Sequence, residues 1–228
     1  MQQTKEINAL LSLIDDPDEE VYSTVSERIT FYGKGIIPNL ENLWENTTNE
    51  EVQERIEQII HRLHYCDLKN DLVEWSRSSC PDLLIGALLV AKFQYPDLQT
   101  TPVIQEMEKI KRNIWLELNS FLTPLEKANI FTSILYNYYN LKGTEVNYKQ
   151  PDDFFINKVL QRKKGNTISI GILYLVFSEM LELPVKAINI PRQFVLGYLT
   201  NEKEVPYQTN LQHNIRFYID PTNGQPFS

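Results

Sequence analysis

The chain has 228 residues, 42% of them apolar, enough to bury one substantial core or two smaller ones. Its formal net charge of −8 argues against nucleic acid as a partner, because such binding draws on many Lys and Arg contacts that displace counterions. The longest apolar run, "ISIGILYLVF", is too short to span a bilayer, and the opening "MQQTKEINALLSLIDD" lacks the basic and then apolar order of a signal peptide. A globular cytoplasmic protein is expected, with Cys66 and Cys80 as reduced thiols.

Residues 1–97 read as helices that repeat. "PDEEVYSTVSERITFYG" sets Val21, Val25 and Ile29 on one face, begins after Pro17 with acids in its first turn, and stops at Gly33. "GIIPNLENLWEN" opens a second helix near Pro38, with Ile37, Leu40, Leu43 and Trp44 facing inward. "TNEEVQERIEQIIHRL" repeats the plan with Val52, Ile56, Ile59 and Leu63, and "CPDLLIGALLVAKF" adds Leu84, Leu88 and Leu89 after another Pro-Asp start. A spacing of roughly thirty residues is near that of a two-helix solenoid unit, whose stacking leaves a concave protein-binding surface. The pattern resembles HEAT-like repeats, with an ordinary helical bundle as the alternative.

His61, His64, Cys66 and Cys80 carry donor atoms that zinc accepts. On a helix, however, Cys66 turns away from the two histidines, and no CxxC pair is present. No metal site and no cofactor are assigned.

The organisation changes over residues 98–228. Two long helices, "PVIQEMEKIKRNIWLELNS" and "PLEKANIFTSILYNYYNL", lead to a stop at Gly143. "DDFFINKVLQRKKG" then reads as a helix ending at Gly165, with Arg162, Lys163 and Lys164 as its cationic last turn. "TISIGILYLVFSEMLEL" is an apolar helix with Thr167 and Ser169 in its first turn, where the helix dipole stabilises developing negative charge. Three β-rich segments follow, "VKAINI", "QFVLGYL" and "IRFYI", the last running into the turn "DPTNG". Helices followed by an antiparallel sheet give an α+β class, mostly helical. Tyr138, Tyr139, Phe154, Phe155 and Tyr174 fall at helical spacing in apolar segments and read as core, not as a base-stacking platform.

The run "INKVLQRKKGNTISIGILYLVFSEMLELPVKAINIPRQFVLGYL", followed by "YIDPTNG", resembles the transglutaminase-like domain of bacterial SirB-type proteins. The shared pattern is a basic-Gly loop, a Ser-bearing apolar helix, a strand marked Pro-Gly-His-Phe and an Asp-Pro turn. The resemblance implies a papain-like core, in which the wider superfamily places a Cys nucleophile at the start of the apolar helix, a His on the next strand and an Asp on the one after. Carried over, the nucleophile position falls on Ser169, with Thr167 as the alternative register. The His position falls on Gln193, with Arg192 in the Gly position, and the Asp position on Asp220. Only the Asp is retained.

A thiol needs only a modest pKa reduction to act as a nucleophile, whereas a serine needs a general base, and Gln cannot serve as one. A replacement base would have to be His213, upstream of Asp220 on the same segment. Each retained residue also has a structural reading: Ser169 as a helix cap, Asp220 as an Asx turn into Pro221, and Asn223-Gly224 as a hairpin closure. The preferred expectation is a catalytically degenerate transglutaminase-like module that binds protein or peptide. The alternative is an acyl-transfer or amide-hydrolysing enzyme using Ser169 with His213 as a displaced base. The sequence stops at "PTNGQPFS", early for such a core, leaving a truncated C-terminus as one reading.

Overall fold

In the computed structural model, which describes residues 2–191, 193–200 and 214–228, the chain divides at Ser79/Cys80 into two units, each with its own hydrophobic core.

The first unit is helical. Helix α1 (Gln2–Leu11) precedes α2 (Glu19–Phe31), which Asp18 starts by accepting the Glu20 amide and Gly33 ends in the left-handed region at φ 69°. A 3-10 turn, Gly33–Ile36, leads into α3 (Ile37–Asn46), with Pro38 in its first turn. Helix α4 (Glu50–Arg77) is a single helix of 28 residues, since no Gly or Pro interrupts it after its Asn49 cap. Val25, Ile29, Leu40, Ile56, Ile59 and Leu63 meet in the core. Trp44 is more exposed than its spacing implies: its indole stays at the surface and donates to Glu57 Oε1 at 3.0 Å, since the ring N–H requires a partner. Beside the core, buried Arg55 donates to the carbonyls of Ile14 (3.1 Å) and Asp16 (2.7 Å) and to Glu19 (2.9 Å), with its guanidinium 4.5 Å from the centre of the Tyr22 ring. Cys66 and Cys80 are exposed, and the described residues contain no His, Cys, Asp and Glu cluster suited to a metal.

The second unit begins with α5 (Leu83–Gln94), capped by Asp82. Its Leu84 and Leu88 lie in the same core as Met107, Phe131 and Tyr174, so this helix, grouped with residues 1–97 by its Pro-Asp start, packs with the later elements. Helices α6 (Thr100–Glu117) and α7 (Pro124–Thr132) follow, the latter opened by a reciprocal Thr123–Glu126 capping box. Helix α7 widens into a π-helical stretch, Ser133–Tyr138. A 3-10 turn (Pro151–Phe154) and α8 (Ile156–Arg162) come next, then the apolar α9 (Thr167–Met180).

Two glycines expected at helix ends lie in strands. Lys163, left-handed at φ 53°, ends α8 two residues before Gly165, and β2 (Lys164–Asn166) pairs in parallel with β1 (Lys142–Thr144), which holds Gly143. The three strands read from the sequence form as β3 (Val185–Ile190), β4 (Gln193–Leu199) and β5 (Ile215–Ile219). With β6 (Pro226–Phe227) they make an antiparallel sheet in the order β3-β4-β5-β6. The architecture is therefore α+β and mostly helical. Among the aromatics expected in the core, Tyr174 is buried, whereas Tyr138 is 73% exposed where the π-helical stretch breaks the helical spacing. No described helix is long and apolar enough to cross a membrane.

Candidate functional site

The site forms around the first turn of α9. Asn166 is fully buried, and its Oδ1 accepts the amides of Ile168 and Ser169, both at 3.0 Å. The helix cap is therefore Asn166 and not Ser169, because the residue just before the first helical turn is the one whose side chain reaches the orphan amides. Ser169 is itself buried. Its hydroxyl donates to the Asp153 carbonyl at 2.6 Å, with the Asn166 carbonyl 3.1 Å away. Gly165 lies directly over it, where a Cβ would come within 2.6 Å of Ser169 Oγ. Thr167, the alternative register, donates its hydroxyl to the Thr144 carbonyl at 3.2 Å.

Strand β1 ties this turn to the Asp220 position. Thr144 donates its hydroxyl to the Gly165 carbonyl (3.2 Å), and Gly143 donates its amide to the Thr222 carbonyl (3.2 Å). Asp220 Oδ1 accepts the Thr222 amide at 2.8 Å, the Asx turn expected from the sequence. Gly224, left-handed at φ 72°, closes the turn by donating its amide to the Asp220 carbonyl at 2.7 Å. The end of α7 and the π-helical stretch hold the turn from the other side: Tyr136 donates to the Pro221 carbonyl (2.7 Å) and Thr132, the last residue of α7, to the Gly224 carbonyl (2.5 Å). Burial, reinforced by the nearby Asp220 carboxylate, pushes the Tyr136 hydroxyl well above its ordinary pKa, so it stays protonated as a donor.

Gln193 begins β4, paired with Ile190, and is exposed. Its neighbour Phe194 packs against Gly171 of α9, where a Cβ would fall 2.2 Å from a ring carbon. The start of β4 thus reaches the same helix that carries Ser169. His213 lies outside the described residues.

Two buried side chains at the site escape a reading of the sequence alone. Asp153 is 3% exposed, with Oδ1 3.1 Å from Arg162 Nη1 as a charge contact without hydrogen-bond alignment, and Oδ2 3.7 Å from Lys164 Nζ. Of the three cations expected at a helix end, Arg162 and Lys164 therefore answer an inward carboxylate, while Lys163 pairs with Glu106. Asn166 is the other, and its place three residues before Ser169, ahead of an apolar run, is the signal that would have found it.

Chemically, the first turn of α9 offers little to a substrate. The Ser169 amide, which could stabilise an oxyanion, is occupied by Asn166 Oδ1, and the hydroxyl faces backbone carbonyls. No described group accepts the Ser169 proton as a side-chain base.

A family model described as the transglutaminase-like superfamily matches residues 101–228. Among curated proteins, a UPF0162 protein of Vibrio cholerae is 28% identical over 163 residues, covering 72% of this chain and 53% of that protein. Protein SirB1 of Salmonella typhimurium is 23% identical over 154 residues, 68% of this chain and 53% of its own length. The chain thus spans about half the length of these relatives. No solved structure matches it. The match over residues 101–228, together with these relatives, establishes that the chain belongs to the SirB-type transglutaminase-like family.

Proposed function

We propose that this chain is a transglutaminase-like protein whose triad positions no longer support catalysis and whose second unit binds protein or peptide. The observation that carries this reading is the arrangement at Ser169. Its hydroxyl is buried and donates to the Asp153 carbonyl, while its amide is capped by Asn166. A nucleophile needs a base to take its proton and free donors to receive an oxyanion. Gln193 can hydrogen-bond a partner but shuttles no proton at neutral pH. Asp220 has a sufficient role in its turn. The helices of residues 1–97, read as HEAT-like, would add a second binding face. The two exposed thiols suit a reducing compartment such as the cytoplasm.

Intact-mass labelling with a serine-directed fluorophosphonate tests the reading, on the wild type beside Ser169→Ala and His213→Ala. The expected result is no adduct above the Ser169→Ala background. A stoichiometric adduct that disappears in both variants would establish an activated serine with His213 as its base and overturn the binding-module reading.

A further inference from the structure

Positive charge in this acidic chain is concentrated beside the site. Residues 142–164 carry six Lys or Arg against three Asp or Glu, whereas the rest of the chain carries 16 against 27. The parallel pairing of β1 and β2 sets Lys142 directly opposite Lys164, a like-charge pair across a ladder that costs stability unless an anion answers it. Lys164 is answered in part by Asp153 at 3.7 Å. Lys142 and Lys149 are exposed and have no ion-pair partner among the described residues.

Apolar surface adjoins these lysines. Tyr148 is 85% exposed, with its ring stacked on Phe154 at 5.7 Å between centroids and 21° between planes. Lys149 follows Tyr148 in the chain, Lys164 Nζ lies 3.4 Å from Gln150 Oε1, and Lys142 pairs with Lys164, so the ladder lysines lie beside the segment that carries the aromatic step, and together they make up a patch. The main-chain carbonyl of Asp153, adjacent to Phe154, accepts the Ser169 hydroxyl, which places the Phe154 end of the aromatic step next to the site.

We infer that this patch docks an acidic peptide segment of a partner protein, with an aromatic or apolar side chain as its anchor on Tyr148 and Phe154 and carboxylates on Lys142 and Lys149. The inference rests on the binding-module reading and names its partner class. Charge complementarity selects the occupant: carboxylates answer the unpaired lysines, and a flat exposed ring offers an anchor more apolar surface than any single aliphatic contact. A long polyanion is disfavoured because the acidic remainder of the chain repels it outside the patch. A short acidic segment confined to the patch escapes that repulsion.

Fluorescence anisotropy of the full chain with a labelled Asp-Glu-Phe-Glu-Asp peptide tests the inference. Lys-Lys-Phe-Lys-Lys and a short oligothymidylate serve as competitors, and the wild type and both variants are checked for folding by circular dichroism. Saturable binding to the acidic peptide is expected, weakened about tenfold by Lys149→Glu and by Tyr148→Ala and reduced by added salt. Both substitutions lie on the surface, so fold loss does not mimic the effect. Absence of binding, equal competition by the basic peptide, or tighter binding of the oligothymidylate would overturn the inference. None of these outcomes bears on Ser169 labelling, so failure of the peptide test and failure of the binding-module reading are told apart.

Discussion

Asn166 holds Ser169 by two opposed contacts: its side-chain oxygen accepts the serine amide at 3.0 Å while its main-chain oxygen lies 3.1 Å from the serine hydroxyl. One residue therefore fixes both polar atoms of the position that would carry a nucleophile. The geometry is that of a helix cap carried into the core.

Asn166→Ala removes the cap and leaves the Ile168 and Ser169 amides without their acceptor in a buried setting. Loss of a cap costs about 1–2 kcal/mol, and burial places this one at the upper end. The expected result is a lower midpoint in urea denaturation with an unchanged slope. A midpoint equal to wild type would mean that water or another group satisfies the two amides.

Gly143→Ala addresses the bridge between the two halves of the site. A Cβ there would lie 2.3 Å from the Thr222 carbonyl oxygen and 2.5 Å from its Cα, both backbone atoms that cannot rotate away. Relieving the clash requires the Asp220 turn to move off β1, with an expected cost of about 1–3 kcal/mol, typical of overpacking. Amide NMR shifts should change at residues 220–224 and extend to Gly165 through Thr144. Perturbation confined to residue 143 and its neighbours in sequence would show that β1 does not couple the two positions.

Tyr95 supplies a pH dependence. Burial, and then its 2.5 Å hydrogen bond to Asp152, pushes the phenol from an ordinary value of 10.0 up to about 12. A group whose folded pKa is raised contributes stability that is complete below the unfolded pKa and is lost as pH rises through the folded one. The contribution of Tyr95 should therefore be intact at neutral pH and disappear between about pH 10 and 12. Ultraviolet difference titration of the wild type against Tyr95→Phe checks this, and a Tyr95 component titrating at an ordinary phenol pKa would contradict it.

Much of the second unit was legible because its signals are local. The β-branched and aromatic runs at 185–190, 193–199 and 215–219 form the expected strands, and Asp220-Pro221 forms the expected turn. The β1–β2 pair was not legible, since "KGT" and "KGN" are too short and too glycine-bearing to read as strands, and their pairing depends on a partner about twenty residues away. Asp153 was hidden for a related reason: an acid after proline reads as a solvated helix start, and only the approach of Arg162 and Lys164 turns it inward. For the site, the ordered motifs point to Ser169, Gln193 and Asp220, while the occupation of the Ser169 amide by Asn166 is signalled only by an Asn three residues ahead of the serine, which the hydroxyls of Thr167 and Ser169 overshadow as cap candidates.

The clamp on the Asp220 turn also bears on the order of assembly. Its two hydroxyl contacts join residues 85 and 92 positions apart, so each closes a loop covering more than a third of the chain. Loops of that length reward closure only after the helices between them have been brought together, whereas the cap on α9 needs neighbours two and three residues away. The turn sequence therefore inherits its shape from the assembled domain. A substitution in the clamp should act chiefly by hastening unfolding, leaving the rate at which the helices first form little changed.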